Sequence, residues 1–137
     1  MLKTVTWLLL FLAVPVAARA AGPRALSLEE AESLVRAAVA GTDLAKREFA
    51  FDPAEMPGYS DFYFLGAVVA DPGAEGHAGW WAVNKFTAEV WDPYRCSRLH
   101  GVELEKLQKR IRSELATSSE DQQQHSKSDP CLAGSTP

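Results

Sequence analysis

Apolar residues recur along this chain in three rhythms, and each predicts a different kind of element. The first is a run. Residues 4–18 carry no charge across 15 positions and include Trp7-Leu8-Leu9-Leu10-Phe11-Leu12-Ala13-Val14. The run follows Met1-Leu2-Lys3, is broken by Pro15, and ends at the small-x-small site Ala18-Arg19-Ala20. This layout predicts a signal peptide over residues 1–20, cleaved after Ala20. The alternative is an uncleaved anchor, but a helix needs roughly 20 apolar residues to cross the hydrocarbon core.

The second rhythm is helical. Leu28, Ala31, Leu34, Val35, Ala38 and Val39 form one stripe at 3.6-residue spacing. Ser27-Leu28-Glu29-Glu30 ahead of it is a capping box, and Gly41 supplies a stop, so the spacing predicts a helix over 28–40. Leu104, Leu107, Ile111 and Leu115 repeat the pattern more narrowly and predict a last helix. Its opposite face carries Glu103, Glu105, Lys106, Lys109, Arg110 and Arg112, which reads as a solvated surface.

The third rhythm is that of strands. Phe62 to Ala70 is rich in aromatic and branched residues and predicts a buried strand, which Asp71-Pro72-Gly73 ends. Trp80–Asn84 and Glu89–Asp92 predict a hairpin about the turn Lys85-Phe86-Thr87-Ala88. Residues 42–61, with Pro53, Pro57 and Gly58, read as a long connection holding one short extended piece at Phe49-Ala50-Phe51. From Thr117 onward the chain is polar and predicts disorder apart from any tether at Cys131.

The expected fold is therefore α+β: an N-terminal helix, a three-stranded antiparallel sheet, a C-terminal helix and a disordered tail. A single small domain spans 21–116 and the tail 117–137, since a small sheet can bury one face against helices. Without residues 1–20, 12 basic residues face 18 acidic ones, a net charge of −6. That balance disfavours nucleic acid and anionic membrane surfaces as partners. No second long apolar run follows, so no stable membrane insertion is expected after cleavage. Asn84 is the only asparagine and is followed by Lys-Phe, so there is no N-glycosylation acceptor. Together with the alanine-rich leader this points to a bacterial periplasmic or secreted protein.

The run Trp81-Ala82-Val83-Asn84-Lys85-Phe86-Thr87-Ala88-Glu89-Val90-Trp91 resembles the V-D-x-x-T-G-x-V hairpin of PepSY-type modules. Val83, Asn84, Thr87 and Val90 match, and Ala88 stands where that pattern has glycine. The resemblance covers about residues 27–92. It implies a small exported α+β module with a leading helix before a three-stranded antiparallel sheet. It also implies an inhibitory or regulatory binding role rather than catalysis.

Two cysteines, Cys96 and Cys131, are 35 residues apart, and an even pair in an oxidising compartment predicts a disulfide. A reactive thiol at Cys96, between Arg95 and Arg98, is the alternative. Cys96 with His100, joined by His125 and Cys131, matches no compact zinc spacing, and His77 lies in a separate loop. Asp92, Cys96 and His100 could form a thiol-nucleophile cluster, but nothing supplies an oxyanion-stabilising group. No Gly-rich phosphate loop, His-Glu-x-x-His or Gly-x-Ser-x-Gly occurs, so no cofactor, metal or catalytic residue is expected.

Alternation in the hairpin puts Trp81, Val83 and Val90 on one face, and Trp80, Ala82 and Trp91 on the other. Trp80 and Trp91 then form either an exposed anchor for a partner or a second small core beneath the 42–61 segment or the last helix. Phe86 and Tyr94 join them as candidate partner-binding residues. The function expected is a non-catalytic exported module that engages a protein partner in an inhibitor, immunity-type or regulatory role. The alternative is a small thiol-dependent enzyme or redox protein using Cys96 with His100.

Overall fold

The computed structural model describes residues 24–70, 76–115 and 118–132. The signal peptide expected over 1–20 lies outside them. Helix α1 (Leu28–Val39) starts at the predicted capping box: Ser27 Oγ accepts from the Glu30 amide at 3.1 Å and the Glu30 carboxylate from the Ser27 amide at 2.8 Å. Arg24 clamps that carboxylate with its two terminal guanidinium nitrogens, Nη1 and Nη2, each donating at 2.8 Å. This bidentate pair holds the Glu30 carboxyl down at about 2. Ala31, Leu34, Val35 and Val39 are buried, while Leu28, counted in the predicted stripe, stays exposed.

Five strands follow rather than three: β1 (Phe49–Ala54), β2 (Phe62–Val69), β3 (Trp80–Asn84), β4 (Val90–Asp92) and β5 (Ser97–Arg98). They form one antiparallel meander in chain order. The three-stranded expectation is an undercount at both edges. The short piece at 49–51 continues through Asp52-Pro53-Ala54 and pairs with β2 along its whole length. A proline is tolerated there for a reason visible in the ladder. Ala70 N donates to Glu48 O, which sets the even-numbered residues of β1 against β2 and turns Pro53 outward, where no amide is needed. Helix α2 (Val102–Leu115) then crosses beside α1.

Parity along the strands divides the side chains into two cores. Leu65, Ala67, Trp81, Val83 and Val90 pack against Leu34 and Val35 of α1 and Leu104, Ile111 and Leu115 of α2. Phe62, Phe64, Ala82 and Trp91 point the other way. Their cover is Met56 and Tyr59 from the segment between β1 and β2, and Leu132 from the chain's far end. Burial on both faces explains why β2 reads as a nearly continuous apolar run.

Within the stretch expected from its composition to be a disordered tail, residues 118–132 are ordered. Helix α3 (Ser119–His125) begins at the Ser118 cap, whose hydroxyl accepts from the Asp121 amide. The chain then runs on to Cys131, bonded to Cys96 with 4.9 Å between the Cα atoms. Polar residues order here because tertiary partners hold them. Asn84 Nδ2 donates to His125 O, Tyr59 Oη to Cys131 O and Leu132 N to Pro93 O, at 2.8–3.1 Å. Residues 118–132 thus form a strap across the sheet face that the long helices leave open.

The hairpin turn shows how this sequence does without glycine. Ala88 is buried and left-handed, with φ +57°. For a residue with a Cβ that conformation costs about 1–2 kcal/mol. The offset is hydrogen bonding. Asn84 Oδ1 accepts from the Phe86 and Thr87 amides at 2.9 and 3.1 Å. From α2, Gln108 Nε2 donates to Ala88 O at 2.9 Å and Arg112 Nε to Thr87 O at 2.6 Å. The face of α2 read as solvated therefore contributes one working side chain, Arg112, to the turn, and Gln108 is buried beside it.

Candidate partner-binding face

The exposed Trp80/Trp91 anchor is not formed. Trp91 is 8% exposed and belongs to the small core beneath the strap, with the Arg98 guanidinium 4.9 Å above its ring. Trp91 lies instead in a second small core, covered by Met56 and Tyr59 of the segment before β2 and by Leu132 of the strap, which the sequence pattern does not place there. Trp80 is half-buried against the His77 ring, the centroids 4.4 Å apart. Phe86 is half-buried and stacked on His125 at 4.2 Å. Of the four aromatic candidates, only Tyr94 stands in solvent, 54% exposed.

Beyond the strap, the sheet carries a row that sequence reasoning missed. Asp52, Gly66 and Trp80 lie side by side on β1, β2 and β3. The His77 ring lies on this row, stacked on Trp80 and 3.0 Å from Asp52 Oδ2 through Nε2. A Cβ at Gly66 would collide with the ring, so the glycine is the floor on which the histidine rests. Its only signal in the sequence was a glycine inside an otherwise aromatic and branched strand.

The three histidines do not converge. His125 Nδ1 meets Asp61 Oδ2 at 3.0 Å, His77 meets Asp52, and His100 Nδ1 lies 3.8 Å from Glu105 at the surface. Among the described residues, one group brings three potential metal ligands together: Cys96, Asp129 and Cys131. Its two sulfurs are spent on the disulfide. The imagined thiol cluster is likewise not assembled. Cys96 has no free thiol, and Asp92 turns its carboxylate to the Tyr94 and Arg95 amides rather than to His100.

Two further features surround β4 and β5. A cleft of about 250 Å³ is lined by Glu89, Arg98, His100, Glu105, Gln108 and Arg112. In it Glu89 Oε1 pairs with Arg98 Nη1 at 2.9 Å while Oε2 is buried without a partner. Next to it is the β4–β5 turn, residues 93–96. Asp92 Oδ1 accepts from the Tyr94 amide at 3.0 Å and the Arg95 amide at 2.9 Å. Pro93 is fully buried, and Cys96 is left-handed at φ +50°. The turn is therefore fixed at its base and exposes Tyr94 and Arg95 beside the disulfide-bonded Cys96.

No protein-family model matches this chain, and no curated protein matches it. One solved structure is similar in fold and sequence: a chain of a type VI secretion system effector–immunity complex from Pseudomonas protegens. The TM-score is 0.60 and the identity 25%, over 75% of this chain and 88% of that one. No helix among the described residues is long and apolar enough to cross a membrane.

Proposed function

We propose that this protein is an exported, non-catalytic binding module of the immunity type, which engages a protein partner. The observation that carries the reading is the similarity to a chain of an effector–immunity complex across most of both chains. Three features agree with it. The disulfide suits an oxidising compartment outside the cytosol. The sulfur that a thiol enzyme would need is committed to that bond. The PepSY-like hairpin fits a regulatory module rather than a catalyst. The leader over residues 1–20 would deliver the domain to the bacterial periplasm.

The test is self-protection. The gene is deleted from its host and the mutant grown in dense contact with its parent, with and without a plasmid copy. An immunity role predicts that the mutant is killed by its parent and that the plasmid copy restores survival. Equal survival of mutant and parent would overturn the reading.

A further inference from the structure

We infer that the β4–β5 turn is the partner-binding tip of this domain, inserting Tyr94 and Arg95 into a concave, carboxylate-lined site on the protein it binds. The inference rests on the binding role proposed above and names the surface that carries it. Tyrosine and arginine are the residue types over-represented among binding hot spots. Here they are adjacent, with Tyr94 54% exposed and the Arg95 side chain 84% exposed. The only ion pair described for Arg95 is a long one, 3.8 Å, to Asp92.

What separates this pair from other exposed side chains is the bracing beneath it. Asp92 Oδ1 fixes both backbone amides, and Leu132 N ties Pro93 O from the strap at 3.1 Å. The left-handed Cys96 is covalently joined to Cys131. A loop held in one conformation before contact loses little further entropy on binding, which is the main gain from preorganisation. Ordinary surface residues receive no such support: Val102 is 73% exposed at the plain start of a helix.

The chemistry of the turn specifies its counterpart. The chain as a whole is acidic, at −4, yet this tip ends in a guanidinium. A guanidinium fork and a phenol hydroxyl both donate to carboxylates, the fork in bidentate fashion. A tip narrow enough to consist of one four-residue turn fits a pocket rather than a flat surface.

The deletion strain above provides the assay. It is complemented with the wild-type chain, with a Tyr94→Ala/Arg95→Glu double variant, or with Val102→Ala as an exposed control. Survival against the parent is read alongside periplasmic abundance and the melting temperature of each purified protein. The inference predicts unchanged abundance and melting for the double variant, with survival below wild type because loss of two hot-spot residues weakens partner binding at least about tenfold. Val102→Ala should protect fully. Arg95→Gln alone provides a second reading if the double variant accumulates poorly, because the one ion pair described for this exposed side chain, to Asp92, is long and the neutral amide sets no new charge against that carboxylate. Full protection by a normally folded tip variant, where wild type also protects, would overturn this inference alone. Failure of wild type to protect would overturn the immunity reading and the tip with it.

Discussion

Replacing Asn84 should loosen two parts of the molecule at once, and two different substitutions should separate them. The side chain is fully buried. Its Oδ1 serves the Phe86 and Thr87 amides, and its Nδ2 serves His125 O on the strap at 3.1 Å. Asn84→Ala leaves two amides and one carbonyl without these partners. A buried polar group stranded in this way costs about 1–3 kcal/mol. The Phe86 amide is only partly buried and can recruit water, so the expected total is about 2–4 kcal/mol. That is a large share of a domain stability of about 5–15 kcal/mol. The melting temperature should fall by about 10–20 °C. Asn84→Asp differs in kind: it keeps an acceptor for the turn amides but sets an oxygen against His125 O. Hydrogen exchange followed by mass spectrometry distinguishes the two. The alanine variant should lose protection at both 85–88 and 118–130, the aspartate variant chiefly at 118–130. An alanine variant within 0.5 kcal/mol of wild type in urea titration, or an undisturbed strap in the aspartate variant, would refute the role assigned to this residue.

Three other outcomes are expected. Cys96→Ser opens a 35-residue closure and should cost about 3–4 kcal/mol in the chain-entropy account, with the urea midpoint of the variant no longer responding to dithiothreitol. Glu30→Gln tests the Arg24 clamp. The folded carboxyl sits at about 2 against an ordinary 4.5, so its contribution is present above pH 4.5 and fades as pH falls toward 2. The stability gap between wild type and Glu30→Gln, measured by denaturation across that range, should narrow accordingly, and a gap that grows on acidification would contradict the clamp. Gly66→Ala should displace the His77 ring and speed exchange over 76–79, at a cost of about 1 kcal/mol. That cost should vanish in a His77→Ala background, because the collision partner is gone.

The regular core of this fold was legible because its signals are periodic. The capping box placed α1, alternation placed β3 and β4 with the correct register, and the parity of Trp81 against Trp91 foretold two opposed apolar faces. What escaped notice has no period. Ser97-Arg98 is too short and polar to announce a strand, and pairs only because the braced turn before it brings the chain back. Asp52-Pro53 reads as a break until the ladder shows which way the proline faces. Helix α3 has no apolar stripe, so only its contacts with Asn84, Asp61 and Phe86 reveal why it is there. At the candidate site, Tyr94 could be picked out as an aromatic in a loop. Its rigidity depends on Asp92, Cys131 and Leu132, which converge only in three dimensions.

The turn at 85–88 is where separate parts of the molecule are knotted together. Lys85 O receives the Leu26 amide just ahead of α1, and Lys85 Nζ reaches Ser60 O. Thr87 and Ala88 receive the two α2 side chains, and Phe86 receives the ring from α3. A domain with one apolar interior on each side of a thin sheet would ordinarily be free to melt by halves. Because the lead-in to α1, the segment before β2, α2 and α3 are all moored to the same four residues, this one should instead come apart as a single cooperative unit. A pull felt on the strap should then register at the long helices on the opposite side.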